Sequence, residues 1–307
     1  MKDSFGRNIN YLRLSVTDLC NLNCKYCSSR DPKKVNHSEI LSIEEMTKIV
    51  EVCSEIGITK LRITGGEPLL KKGLEILIEK CSKIIPNICM TTNGVLLNEK
   101  VESLKKAGLK NINISLDSLD KNIYKNISSG DLDETLKGIE KAYKLGLGLK
   151  FNAVLQKGIN DKDFESLLSF TKSKNAKFRF IELMPFSHTK KYFEDHYISS
   201  QELIKKFDMK FLYNEGTAEY YKYKDYEIGF ISPISNKFCN QCSRIRITSF
   251  GEFIPCLHSN RTYSIKEFIN NKKLLKDKII EYLKLKPKNH QIEKGILMEK
   301  DMRDIGG

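Results

Sequence analysis

No stretch of the 307 residues stays apolar for the roughly 18–20 positions that a membrane helix requires. The opening MKDSFGRNINYLRLSV has no apolar core of the kind a secretory leader carries. These two absences lead to the expectation of a cytoplasmic protein with no membrane partner. No low-complexity linker interrupts the chain, so its parts are expected to share an interface rather than swing on a tether. Aromatic and basic residues do not interleave as in RNA-binding modules, so no nucleic-acid partner is expected. One further shortage is local. Cys20, Cys24 and Cys27 fall within eight residues with no fourth cysteine beside them, and the nearest histidine, His37, is ten residues past Cys27.

What is present is a globular composition, 40% hydrophobic and 30% charged, with a formal charge of +13. Such an excess favours an anionic partner such as a phosphorylated metabolite, although scattered lysines by themselves mean only a solvated surface. Arginines in apolar or motif contexts are the sharper guide. Nine cysteines in a reducing compartment are not read first as disulfides. Cys53, Cys81 and Cys89 sit among Val, Ile and Leu and are expected in the core. Two clusters, Cys20/Cys24/Cys27 and Cys239/Cys242/Cys256, need another explanation.

Between residues 10 and 184, β-rich runs (11–17, 60–65, 87–92, 111–117, 149–155 and 177–184) alternate with segments of helical period (42–57, 73–83, 98–108, 131–146 and 163–173). Ser42 with Glu45 makes a capping box, and Gly57, Gly108 and Gly146 follow last helical turns. Six βα units in a row predict an α/β fold with a parallel sheet, as a partial (β/α)6 TIM-type barrel or an open wound sheet. In either form the chemistry gathers at the carboxyl ends of the strands, and the first cysteine trio directly follows strand one. Beyond residue 185 the pattern changes. The stretch 218–232 alternates and turns at Lys224-Asp225 as a hairpin would, and 238–256 holds a Cys pair, a strand-like run, a Gly turn and a lone Cys. The expected division is a partial-barrel domain over 1–195 and a smaller α+β region over 196–307.

A structural zinc site closes with four protein ligands, and a cubane iron–sulfur cluster usually takes four thiolates, one per iron. Three thiolates leave one iron open, where a small molecule with an amine and a carboxylate can chelate. C-x3-C-x2-C with Tyr26 before the last cysteine resembles the signature of the radical S-adenosylmethionine superfamily, whose open iron binds the amino and carboxylate groups of the methionyl moiety. TGGEP at 64–68, after strand two, extends the resemblance. There Gly65 and Gly66 would let the backbone approach the ligand, and Glu67 could accept from its ammonium.

The second trio, C-x2-C-x13-C, allows two readings. One is a zinc site with a fourth ligand nearby, such as His258; the other is a second cubane that again lacks a protein ligand on one iron. Arg244 and Arg246 alternate after Cys242 and would share a strand face, with guanidinium forks suited to phosphate oxygens. RLSVTDLCNLNCKYC, LRITGGEPL, MTTNG, INISLD, QKGIND, RFIELM, FCNQCSRIRIT and the terminal IGG occur in this order. Across nearly the whole chain they resemble the GTP 3′,8-cyclase family of molybdenum cofactor biosynthesis.

The resemblance implies that Cys20, Cys24 and Cys27 hold a [4Fe-4S] cluster that cleaves S-adenosylmethionine. It implies that Cys239, Cys242 and Cys256 hold a second [4Fe-4S] cluster that binds the guanine ring. Contacts to S-adenosylmethionine are implied at Tyr26, Gly66, Ser115 and Met184. Contacts to GTP are implied at Arg13, Arg62, Thr91, Lys157, Arg179 and the stretch Arg244, Ile245, Arg246; Arg244 and Arg246 also count as catalytic with the first trio. Arg13 and Arg62 stand inside apolar strands, where an anionic ligand explains the charge better than packing does. Gly306 and Gly307 match two terminal glycines that reach the active site in the family. After Cys27 the chain reads Ser28-Ser29-Arg30 where the family commonly has Met-Pro, and the stretches 28–41 and 185–215 are short.

In the implied reaction a 5′-deoxyadenosyl radical removes the ribose 3′ hydrogen of GTP, and the carbon radical adds to guanine carbon 8. GTP as substrate and a reductant such as flavodoxin or ferredoxin are the expected partners. The sequence leaves open a homodimer and the docking of a downstream cyclic pyranopterin monophosphate synthase. Two other readings stand beside this one. One is a peptide-modifying radical enzyme with an auxiliary cluster, which usually has a longer, cysteine-richer C-terminal region. The other is a non-catalytic iron–sulfur or zinc protein that binds RNA.

Overall fold

A computed structural model describes residues 1–27, 39–162 and 164–306. The expected βα series forms as β1 (Tyr11–Ser15), α1 (Ile43–Glu55), β2 (Lys60–Thr64), α2 (Leu74–Ile84), β3 (Asn87–Thr92) and α3 (Leu97–Lys106). It continues as β4 (Asn111–Ser115), α4 (Lys121–Ser128), α5 (Leu132–Lys144), β5 (Gly148–Leu155), α6 (Glu165–Ser173) and β6 (Lys177–Glu182). Helix α4 has no counterpart in the sequence reading. Its eight residues KNIYKNIS are too few and too asparagine-rich to announce a helix, and it is held at its start by the Asp120 carboxylate, which accepts from the amides of Asn122 and Ile123. The second region supplies α7 (Lys190–His196), α8 (Ser200–Lys206), β7 (Lys210–Glu215), β8 (Ala218–Tyr223) and β9 (Tyr226–Ile231). After it come β10 (Arg244–Ile247), β11 (Glu252–Ile254), β12 (Tyr263–Ser264) and α9 (Lys272–Lys284). The hairpin between β8 and β9 turns at Lys224-Asp225, with Lys224 at φ 50°.

These strands make one sheet in the order β12-β11-β10-β1-β2-β3-β4-β5-β6-β9-β8-β7. Pairing is parallel from β10 through β1–β6 to β9. The sheet is open, yet its flanks meet: Arg244 on β10 donates to the Thr217 hydroxyl in the turn between β7 and β8. This is a partial barrel, with residues 232–243 running from one flank to the other.

Parallel strands covered on both faces read as continuous apolar runs; here they alternate. Leu12, Leu14, Leu61, Ile63, Ile88, Met90, Ile112, Ile114, Phe151, Phe178 and Phe180 face the helices and are buried. Each such side chain contributes about 1.5–3 kcal/mol by leaving water. Helix α1 covers this face with Met46, Ile49, Val50 and Cys53, spaced for one stripe, and starts at the Ser42–Glu45 capping box. The opposite, inner face carries polar residues: Arg13, Lys60, Arg62, Cys89, Thr91, Asn111, Asn113, Ser115, Lys150, Asn152 and Arg179.

Candidate active site

The inner face bounds a cavity of about 710 Å³, within the range of small-molecule sites. Parallel register sets Arg246, Arg13 and Arg62 side by side across β10, β1 and β2. Burial, and next the neighbouring Arg246, push the Arg13 guanidinium well below its ordinary value. Burial, and next Arg244, bring Arg246 down to about 10. Burial does the same in direction to Arg179. Arg62 goes the other way. Burial opposes its charge, but the Tyr11 phenol, to which its Nε donates, raises it. A second Arg62 donor reaches the Thr91 hydroxyl at 3.0 Å. Crowded, partly dehydrated cations of this kind are stabilised by an anion bound among them.

The first cysteine trio lies at the carboxyl end of β1, pinned from several sides. The amides of Asn23 and Lys25 donate to the carbonyls of Ser128 and Ile127, both at 3.0 Å. Helix α4 thus finds partners for carbonyls that its own end leaves unpaired. The Met302 amide donates to the Cys27 carbonyl at 3.0 Å, tying the C-terminal tail to the same loop. Against the loop lies the GGEP segment, where the structure adds a packing role to the expected ligand contact. Gly65 and Gly66 line the cavity and also approach the cysteine loop closely: a Cβ on Gly66 would stand 2.2 Å from the Leu19 carbonyl oxygen, and one on Gly65 2.7 Å from that of Thr17. Glu67 does not point to an open ammonium site alone. Its carboxylate accepts from the Leu69 amide at 3.0 Å, the Thr92 hydroxyl at 2.7 Å and the Asn93 amide at 2.8 Å. Burial lifts its pKa to about 7 against those donors.

Tyr26 donates to Asp117 at 2.7 Å, and Asp117 also accepts from the Val154 amide at 2.7 Å. Burial raises Asp117 to about 6. Burial also raises all three thiols, Cys27 to about 12. They become ligands when a bound cation displaces their protons. Cys239 and Cys242 flank a short 3-10 turn that Arg7, paired with Asp3 at 2.5 Å, braces by donating to the Cys239 carbonyl at 2.9 Å. Burial pushes the Cys242 thiol up, but the Lys286 ammonium together with the Arg244 amide and guanidinium outweighs it, and the net shift is downward.

All nine cysteines are free. Cys53 and Cys81 lie in the core as expected, whereas Cys89, though buried, also lines the cavity. Among the described residues no three His, Cys, Asp or Glu side chains gather closely enough for a single metal ion. One zinc would need sulfurs about 3.8 Å apart, from its bond length and tetrahedral angle. His258 therefore does not complete a zinc set with the second trio; burial lowers its pKa to about 3, and neither ring nitrogen has a hydrogen-bond partner. Two sets of three thiols, each without a fourth protein donor among the described residues, fit cubanes with one open iron.

Cys20, Cys24, Cys27, Cys239, Cys242, Cys256, Arg13, Arg62, Arg179, Arg244, Arg246, Thr91, Tyr26, Gly66, Ser115 and Met184 all line the one cavity. Lys157 does not: it is exposed on the turn after β5, its amide donating to the His196 carbonyl at 2.8 Å. Ile245 points away from the cavity because strand alternation turns it into the core, where it is 1% exposed. The Gly306 carbonyl accepts from Arg246 and, at 3.5 Å, from Arg13. Ser28–Arg30, His37 and Gly307 lie outside the described residues. Wall residues that sequence reasoning passed over include Lys60, Asn113, Lys150, Asn152, Glu215 and Lys286. For the strand members the signal was available: a polar residue at every second position of a parallel strand.

The Radical SAM superfamily profile matches residues 14–171, and the Molybdenum Cofactor Synthesis C profile matches residues 176–292. A Clostridium botulinum (strain Hall) protein named GTP 3′,8-cyclase is 46% identical, covering 100% of both chains. One of the same name from Alkaliphilus metalliredigens is 40% identical, again covering 100% of both. Among solved structures, Streptococcus suis SuiB bound to S-adenosylmethionine superposes with a TM-score of 0.63 at 14% identity, covering 97% of this chain and 78% of that one; this likeness is one of fold. Full-length identity of this order, on a cavity that joins two cysteine trios across a row of arginines, establishes that the chain belongs to the radical S-adenosylmethionine superfamily and, within it, to the GTP 3′,8-cyclase family.

Proposed function

We infer that the chain converts GTP to (8S)-3′,8-cyclo-7,8-dihydroguanosine 5′-triphosphate, the first step of molybdenum cofactor biosynthesis. The observation that carries this reading is the placement of the Arg246–Arg13–Arg62 row in the wall of a cavity lined by both cysteine trios. Cys20, Cys24 and Cys27 would hold a cluster that passes one electron to S-adenosylmethionine for removal of the ribose 3′ hydrogen, and Cys239, Cys242 and Cys256 would hold a second beside the guanine. Bonding of the 3′ carbon to carbon 8 leaves a base radical that one electron and one proton would convert to product. The chain's own part is to hold and to exclude. Arg13, Arg62, Arg179, Arg244 and Arg246 would grip the triphosphate as donor forks. Tyr26, fixed by Asp117, and Gly66, Ser115 and Met184 would seat S-adenosylmethionine near the first trio. Holding both reactants in one walled cavity makes the hydrogen transfer effectively unimolecular and keeps water from the radical.

In the proposed division of labour residues 1–195 generate the radical and residues 196–307 carry the second cluster with Arg244 and Arg246, while Arg13, Arg62 and Arg179 of the first part share the grip on GTP. A flavodoxin- or ferredoxin-type donor would supply the electron, and a cyclic pyranopterin monophosphate synthase would consume the product. A cytoplasmic location completes the reading, which leaves the oligomeric state open. No described helix is long and apolar enough to cross a membrane, and nine free thiols suit a reducing compartment. The test is anaerobic incubation of the reconstituted protein with reductant, S-adenosylmethionine and GTP deuterated at the ribose 3′ carbon. Deuterium should appear in 5′-deoxyadenosine together with the cyclic product; 5′-deoxyadenosine formed without label or GTP consumption would overturn the reading.

A further inference from the structure

Among the described residues four carboxylates line the cavity: Glu67, Asp117, Glu182 and Glu215. Three are held by neutral donors. Glu67 and Asp117 are bonded as described, and Glu182 accepts from the amides of Ser200 at 2.9 Å and of Ile234 and Ser235, each at 3.0 Å. Glu215 differs, because its two oxygens take the ammonium groups of Lys150 and Lys177. It is at the end of β7, where Gly216 at φ 63° turns the chain so that Thr217 meets Arg244 on the far flank. The hairpin tip therefore reaches cations on both sides of the cavity.

The two lysines are not equivalent. Lys177 lies over the stacked rings of Tyr213 and Tyr220, 5.2 and 5.0 Å from their centroids, and keeps that stabilisation without Glu215. Lys150 lines the cavity and has no aromatic ring over it among the described residues. Glu215 is about a third exposed, so its side chain has room to leave.

Resting on the reading of the cavity as a GTP site, we propose that Glu215 is a built-in counter-anion. It neutralises Lys150 while the cavity is empty, yields Lys150 to the substrate's phosphates, and competes for it again when product departs. The reaction leaves the triphosphate intact, so a grip tight enough to capture substrate would also retain product. An internal carboxylate on one of the gripping cations loosens both equally and lets product go.

The test compares wild type and Glu215→Gln, both with clusters reconstituted anaerobically, by equilibrium binding and stopped-flow release. The probes are GTP, inorganic tripolyphosphate and guanosine, with and without Mg2+. Glu215→Gln should bind GTP and tripolyphosphate about tenfold more tightly, the scale of one unit charge at an effective dielectric of about 20 reduced by salt. Their release should slow, and guanosine, which has no charge, should bind as before. Glu215→Ala should move in the same direction. Unchanged or weaker binding of both phosphates would overturn the proposal. So would weakening confined to samples with Mg2+, which would make Glu215 a cation ligand. Failure of wild type itself to bind GTP would instead refute the underlying reading of the cavity.

Discussion

Replacing Gly66 by alanine tests how the two halves of the S-adenosylmethionine site are joined. The added Cβ would lie 2.2 Å from the Leu19 carbonyl oxygen and 2.6 Å from that of Asp18, both main-chain atoms that cannot rotate away. The GGEP segment and the cysteine loop must separate, which pulls on two hydrogen bonds, Gly66 to the Thr17 carbonyl at 2.8 Å and Glu67 to the Leu19 carbonyl at 2.7 Å. Losing a buried amide partner costs about 1–3 kcal/mol, and overpacking costs about 1–3 kcal/mol more. The sum, about 2–6 kcal/mol, corresponds to a fall in Tm of about 3–9 °C for a chain of this size. The damage is local, so anaerobic reconstitution should deliver about four irons in place of about eight, with the second trio still loaded. Calorimetry of the metal-free protein and an iron assay of the reconstituted one read the two effects. A variant that melts within about 1 °C of wild type and holds the full iron complement would refute the reasoning.

Cys20→Ser should abolish 5′-deoxyadenosine formation, whereas Cys256→Ser should retain reductive cleavage of S-adenosylmethionine and lose the cyclic product. Equal loss of both activities in both variants would argue against two separate cluster roles. The pH dependence of stability offers another check. Although burial opposes it, the bonds from Lys150 and Lys177 hold Glu215 down to about 2, below the ordinary carboxyl value of about 4.3. The unfolded chain therefore takes up a proton first as pH falls. The stability from this group is present above about pH 4.3 and disappears toward pH 2. Glu215→Gln should show a shallower loss of urea resistance across that window, and superimposable slopes would contradict the assignment.

Much of the fold was legible because its elements are locally encoded. The capping box at Ser42, the stripe Met46, Ile49, Val50, Cys53 and the glycines at 57, 108 and 146 each declare a helix or its end without reference to distant residues. The cysteine trios were legible because ligand spacing within a loop is a covalent fact. Helix α4 was not, since its support comes from a capping carboxylate and from the loop it holds. Lys157 drew attention because the resemblance implied a GTP contact in QKGIND, while Lys150, the third residue of β5, is the lysine that lines the cavity. The difference lies in which way a strand faces, and that is decided by packing.

Residue order alone determined the βα series, the two incomplete thiol sets and the arginines embedded in apolar strands. Only the tertiary structure decided that β10 pairs in parallel with β1, bringing Arg246 beside Arg13, and that the turn after β7 places Glu215 on Lys150. Local propensity cannot specify such pairings. Register between strands remote in sequence is chosen when their outer apolar faces are buried together beneath the helices, and the inner polar residues follow.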